Sequence, residues 1–207
     1  MSDYNMAMRN SLATVLERAG SFFMKQSPIH HAARRIADTL TEMEIPFVIV
    51  GALAANAHGH VRTTEDVDIL LTRQGLHDFR QRWLGRGWVE KFVGSKGFRD
   101  TVHGVNIDVL LSGDYPGDGQ PKPVVFPEPA AVAELDKEGF PILQLATLME
   151  LKLASGMTAP HRPRDLDDVI QLIRANQLPR EYAEGLNSYV RAKYNELWGL
   201  AQHSDEY

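Results

Sequence analysis

The segment Asp66-Val67-Asp68-Ile69-Leu70-Leu71 places two aspartates, separated by one valine, at the head of an apolar run. A period of two is the period of a β-strand, so Asp66 and Asp68 share one face while Val67 and Ile69 take the other. Their Cα atoms then stand about 6.5–7 Å apart, and their carboxylates can converge further. Burying two like charges side by side costs folding free energy and pushes one pKa up unless a cation compensates them. An aspartate recurs within apolar residues at Asn106-Ile107-Asp108-Val109-Leu110-Leu111. If that strand lies beside the first, Asp108 completes a three-carboxylate cluster. Such a cluster suits Mg2+, with Mn2+ as an acceptable substitute, and two ions roughly 3.5–4 Å apart are the arrangement used in phosphoryl transfer. The plain alternative is a strand end with solvated aspartates.

Upstream, Phe47-Val48-Ile49-Val50 reads as a buried strand that Gly51 ends, and ALAANAHG as a short helix. Backbone N–H groups at such a helix start offer a phosphate seat. Residues 6–25 carry an amphipathic helical pattern, and Ser27-Pro28 opens a second helix with a capping residue and a proline. Further on, the pattern gives a helix over 75–85, then two or three antiparallel strands ending in 105–111. A Pro/Gly-rich loop covers 113–123, with short strands at 124–126 and 141–143. Two helices follow, and a last helical stretch runs over 179–202. The expected fold is α/β (α+β), a mixed sheet flanked by helices. Its divisions are an N-terminal helix (1–27), a core (28–143) and a C-terminal helical segment (144–207).

The chain has 207 residues, enough for one compact domain with a helical appendage. It has no cysteine, which excludes disulfides and Cys-based zinc sites. No stretch reads as a signal peptide or membrane span, so a cytoplasmic location and no membrane partner are expected. With 22 Lys+Arg against 27 Asp+Glu, the net charge of −5 does not suggest a dedicated nucleic-acid binder and would suit a cationic small substrate. His30-His31 and His58-Gly59-His60 lack a third ligand at convincing spacing, and Trp83, Trp88 and Phe92 read as core residues.

The order strand, glycine, short helix, D-x-D strand, later carboxylate strand resembles the nucleotidyltransferase superfamily that shares the DNA polymerase beta palm. Val48-Ile49-Val50-Gly51-Ala52, Asp66-Val67-Asp68 and Asp108 carry the likeness, over about residues 30–111. Leu148-Met149-Glu150-Leu151-Lys152 and Arg164-Asp165-Leu166-Asp167-Asp168-Val169 resemble the smaller bacterial branch, which includes abortive-infection-type toxin transferases, a toxin–antitoxin context, and aminoglycoside or lincosamide nucleotidyltransferases. The resemblance implies a palm-like sheet and Mg2+-dependent transfer of a nucleoside monophosphate from NTP to a hydroxyl acceptor, be it small molecule, RNA or protein. It implies metal ligation and catalysis by Asp66, Asp68 and Asp108, nucleotide contacts at Gly51 and Ala52, a phosphate contact by Lys152 and site shaping by Asp165. For Lys152 the alternative is a solvated helix lysine. For Asp165, Asp167 and Asp168 it is capping and dipole compensation of a helix start. The family's second signature residue is Gly or Ser. Ala52 keeps the backbone donors but lacks a hydroxyl, and Arg62, Thr63 and Thr64 are candidates to replace that contact. The loss of the hydroxyl leaves a second expectation open, a degenerate module that binds nucleotide or a partner protein without turnover.

Overall fold

The computed structural model describes residues 27–203. The amphipathic pattern over 6–25 lies outside the described residues. Helix α1 (Pro28–Glu42) starts as its sequence requires, with Pro28 in the first turn and the Ser27 side chain accepting from the His30 N–H. Strand β1 (Phe47–Ile49) leads through Val50 into α2 (Gly51–Ala57), and β2 (Asp66–Leu71) follows. After α3 (Arg73–Trp83) come β3 (Trp88–Glu90), β4 (Phe98–Asp100) and β5 (Val105–Leu111). The chain then forms α4 (Pro129–Val132), β6 (Ala133–Leu135), β7 (Pro141–Leu143), α5 (Leu145–Thr158), α6 (Pro163–Asn176), a 3-10 helix (Arg180–Gly185) and α7 (Ser188–Ala201).

Seven strands make one mixed sheet in the order β3-β4-β5-β2-β1-β7-β6. β3, β4 and β5 form the antiparallel meander that their turns predict. β5 pairs with β2 in parallel and β1 pairs with β2 antiparallel. Three expectations need correction. Residues 124–126 form no strand, although Gly113 and Phe126 exchange a backbone hydrogen bond beside the end of β5. Residues 133–135, Ala-Glu-Leu, form an edge strand that the sequence pattern does not predict, being largely exposed and too short to show an alternation. The stretch over 179–202 is two elements, because the chain turns at Leu186 and restarts with Asn187 as cap.

Alternation along the strands sorts two cores onto opposite faces. Val67, Ile69 and Leu71 of β2, with Val105, Ile107, Val109 and Leu111 of β5, pack against α1, Phe79, Trp88 and Phe98. Val48, Leu70 and Leu143 face the other way, against α5, α6 and α7. Asp66, Asp68, Asn106 and Asp108 therefore lie on the sheet face that the C-terminal helices cover. No helix among the described residues is long and apolar enough to cross a membrane.

Candidate functional site

Register decides the heart of the site. In the parallel β2/β5 pair, Asp66 stands opposite Asn106 and Asp68 opposite Asp108, so all three carboxylates belong to one face and two of them are direct neighbours. Where the apolar side chains of β2 give way to Asp68, the helix cover opens into a cleft of about 450 Å3. Asp68 and Asp108 line it, together with Gly51, Ala52, Arg62, Lys152 and Asp165. Seven of the ten residues singled out from the sequence thus meet in one cavity. Asp66, Thr63 and Thr64 are outside its lining, with Thr64 Oγ1 donating to Asp66 Oδ1 at 2.7 Å.

Gly51 is needed twice over. Its φ of +61° is a conformation that side chains disfavour, and a Cβ there would lie 2.0 Å from Asp68 Oδ2. The turn from β1 into α2 thus brings bare backbone against the Asp68 carboxylate. The N–H groups of residues 51–53 have no acceptor within α2, since a helix leaves its first donors unsatisfied. Ala52 is buried, with its methyl group inside the fold.

The Asp68 carboxylate meets no donor among the described residues, and its pKa rises from 3.8 to about 6. Burial is the first cause, followed by the charges of Asp66 and Asp108; Lys152 and Arg162 pull the other way. Asp108 is held differently. Lys91, at the start of the β3–β4 loop, donates to Asp108 Oδ1 at 2.5 Å. Hard carboxylate oxygens on one face, with one of them unpaired and its charge unrelieved, suit a divalent cation held by Asp66 and Asp68. Among the described residues no three His, Asp or Glu side chains are gathered tightly enough to hold a metal ion. Asp108 Oδ1 is engaged by Lys91 instead.

A second polar cluster flanks the first. Asp168 of α6, almost fully buried, accepts two bonds from the Arg62 guanidinium at 2.9 and 3.0 Å, one from Lys152 Nζ at 2.5 Å, and lies 3.1 Å from His60 Nε2. Burial alone would raise its pKa, but the Lys152 and Arg62 charges outweigh burial and lower it. Lys152 is 6% exposed and also reaches Asp165 Oδ1 at 3.2 Å, so it is no solvated helix lysine. Asp165 Oδ2 accepts from Ser155 Oγ at 2.6 Å. None of the three α6 aspartates caps the helix, whose cap position is Arg162. The side chains of Arg62 and Lys152 are thus bound to carboxylates while facing the cleft.

Sequence reasoning missed Asp168, Lys91 and Phe92 as site residues. Asp168 had a signal: it shares the apolar stripe of α6 with Val169 and Leu172, where a carboxylate needs partners. Lys91 and Phe92 had none, because their positions depend on how a loop lies over the sheet. Trp88 is fully buried and Trp83 packs at the edge of the core, but Phe92 is 68% exposed and lines the cleft mouth, which corrects its reading as core. The histidine pairs take structural places: His58 Nε2 lies 2.7 Å from the Leu143 carbonyl oxygen, and His31 stacks on His103. Compared with known protein families and with curated proteins, the chain matches none.

Proposed function

We propose that this chain is a Mg2+-dependent nucleotidyltransferase, in which an acceptor hydroxyl attacks the α-phosphate of NTP, takes the nucleoside monophosphate and releases pyrophosphate. The observation that carries the reading is the β2/β5 register, which sets Asp68 beside Asp108 on one face, with Asp68 against the bare backbone of Gly51 in a cleft. Asp66 and Asp68 would hold Mg2+, which when bound supplies positive charge to the triphosphate and lowers the pKa of the acceptor hydroxyl. Gly51 and its neighbours present backbone N–H groups toward phosphate oxygens. Asp108, once clear of Lys91, is the group placed to take the acceptor's proton. Arg62 and Lys152, held by Asp168, contribute fixed positive charge and form a rigid wall.

The lining also bears on the substrate. Arg62, Lys91, Lys96, Lys152 and Arg162 face it, against Asp68, Asp108 and Asp165. Five cations to three carboxylates favour an anion such as a triphosphate over the polycationic small molecule that the net charge of the chain would suit. The acceptor itself is left open between small molecule, RNA and protein.

The test is transfer of label from α-labelled NTPs to acceptors in a cell extract with MgCl2. Label transfer by the wild type, lost in Asp66→Asn and Asp68→Asn, is the expected result; transfer untouched by both substitutions overturns the assignment. One observation favours the second reading, a module that binds nucleotide without turnover: Lys91 occupies Asp108, the group the reaction needs free. Under that reading Mg2+ and NTP raise the melting temperature, and no acceptor in the extract is labelled.

A further inference from the structure

The β3–β4 loop, residues 91–97, runs along the mouth of the cleft and is fixed at its far side. Ser95 O accepts from Arg80 Nη1 at 3.1 Å, and Lys96 Nζ donates to Asp114 Oδ2 at 2.6 Å. Its backbone passes close to the carboxylates: a Cβ on Gly97 would lie 2.7 Å from the Ile107 carbonyl oxygen and 3.2 Å from Asp108 Oδ1. At its near side stand Lys91, bonded to Asp108, and Phe92, a large apolar ring 68% exposed with no ring partner among the described residues. The loop's anchors, the Arg80 hydrogen bond and a partly exposed ion pair, leave the Phe92 ring at the cleft mouth rather than in the core. The ring borders the same cavity as Asp68 and Gly51.

The geometry points to Lys91 and Phe92 as the nucleotide-recognition pair: Lys91 leaves Asp108 for the triphosphate when the metal–nucleotide complex enters, and Phe92 stacks on the base. This rests on the nucleotidyl-transfer reading and adds to it the residues that select the substrate. Lys91 is a cation parked on Asp108, the direct neighbour of the Asp68 carboxylate, so before nucleotide enters its charge opposes Mg2+ there. With Lys91 26% exposed and Asp108 37% exposed, that competition is weak, because a solvated ion pair gains little. The triphosphate offers Lys91 more negative charge than one carboxylate does, and its departure clears Asp108 at the moment the acceptor needs a base. An aromatic face at the mouth binds any base through its π-surface, so the pair recognises nucleoside triphosphates as a class.

Calorimetric titrations of the whole protein test this, using MgCl2 alone, each of the four ribonucleoside triphosphates with MgCl2, and inorganic tripolyphosphate with MgCl2. Lys91→Ala should bind Mg2+ alone about twofold to fivefold tighter, since the competing ammonium is gone. It should bind both nucleotide and tripolyphosphate roughly tenfold to a hundredfold more weakly, with Lys91→Arg restoring most of the loss. Phe92→Ala should weaken nucleotide roughly tenfold to a hundredfold and leave tripolyphosphate unchanged, with Phe92→Tyr close to wild type. If the wild type binds nucleotide and these variants bind all ligands as it does, or lose all of them equally, the assignment of the pair is overturned while the transferase reading stands. If the wild type binds neither nucleotide nor tripolyphosphate, both fall together.

Discussion

At Asp68 the protein carries a carboxylate that its fold does not satisfy. Burial and two neighbouring aspartates raise its pKa from 3.8 to about 6, above the value it has in the unfolded chain. A group shifted in that direction lends its full stability below about pH 4 and loses it as the pH climbs through 6. At pH 7 the ionised side chain opposes folding. Asp68→Asn should therefore be more stable than the wild type at pH 7, by up to about 3 kcal/mol, with the advantage shrinking between pH 6 and pH 4. Urea unfolding across that range measures it. If Asp68 holds Mg2+ as proposed, MgCl2 raises the melting temperature of the wild type and the same substitution abolishes that rise, so a gain in stability and a loss of metal response arrive together. Equal stability at pH 7, or an unchanged response to MgCl2, contradicts this account.

Among the elements, Asp168 is the joint. It ties α6 to Lys152 of α5 and to His60 and Arg62 in the link between α2 and β2. Its pKa is lowered, so its contribution is present above the ordinary carboxylate range and is lost as the pH falls through its folded value. Asp168→Asn should cost about 3 kcal/mol at pH 7, because it leaves the buried Lys152 and the partly exposed Arg62 against a neutral group. The difference from the wild type should narrow toward acid, where the native Asp168 is protonated as well. Chemical denaturation at neutral and acidic pH reads both. The contrast with Asp68→Asn is the point: two aspartates that both feel the charge of Lys152 respond to the same change with opposite signs. That distinction was legible in the sequence only in part. The period-two carboxylates of β2 and the apolar stripe of α6 are local patterns, whereas the choice of Asp168 as partner for Arg62 spans 106 residues.

Across the whole molecule, the sheet divides two cores, and the C-terminal helices supply most of one cover. Val48, Leu70 and Leu143 are fully buried against α5, α6 and α7. A chain ending after residue 143 would expose that face and leave an open cleft with no Lys152, Asp165 or Asp168. It should lack a cooperative thermal transition and should bind an apolar dye, which circular dichroism and dye fluorescence will show; a cooperative unfolding transition in the truncated chain contradicts the assignment of this face as core. The sequence by itself determined the strands other than β6, the helices after Gly51 and Ser27, and the shared face of Asp66 and Asp68, because side-chain alternation and capping act over a few neighbouring residues. Only the tertiary structure decided that β5 lies parallel to β2 with Asp108 opposite Asp68, that Lys91 rests on Asp108, that Phe92 faces the cleft and that Asp168 gathers Arg62, Lys152 and His60. Those contacts join residues distant along the chain, and the free energy that selects them comes from packing both faces of the sheet at once.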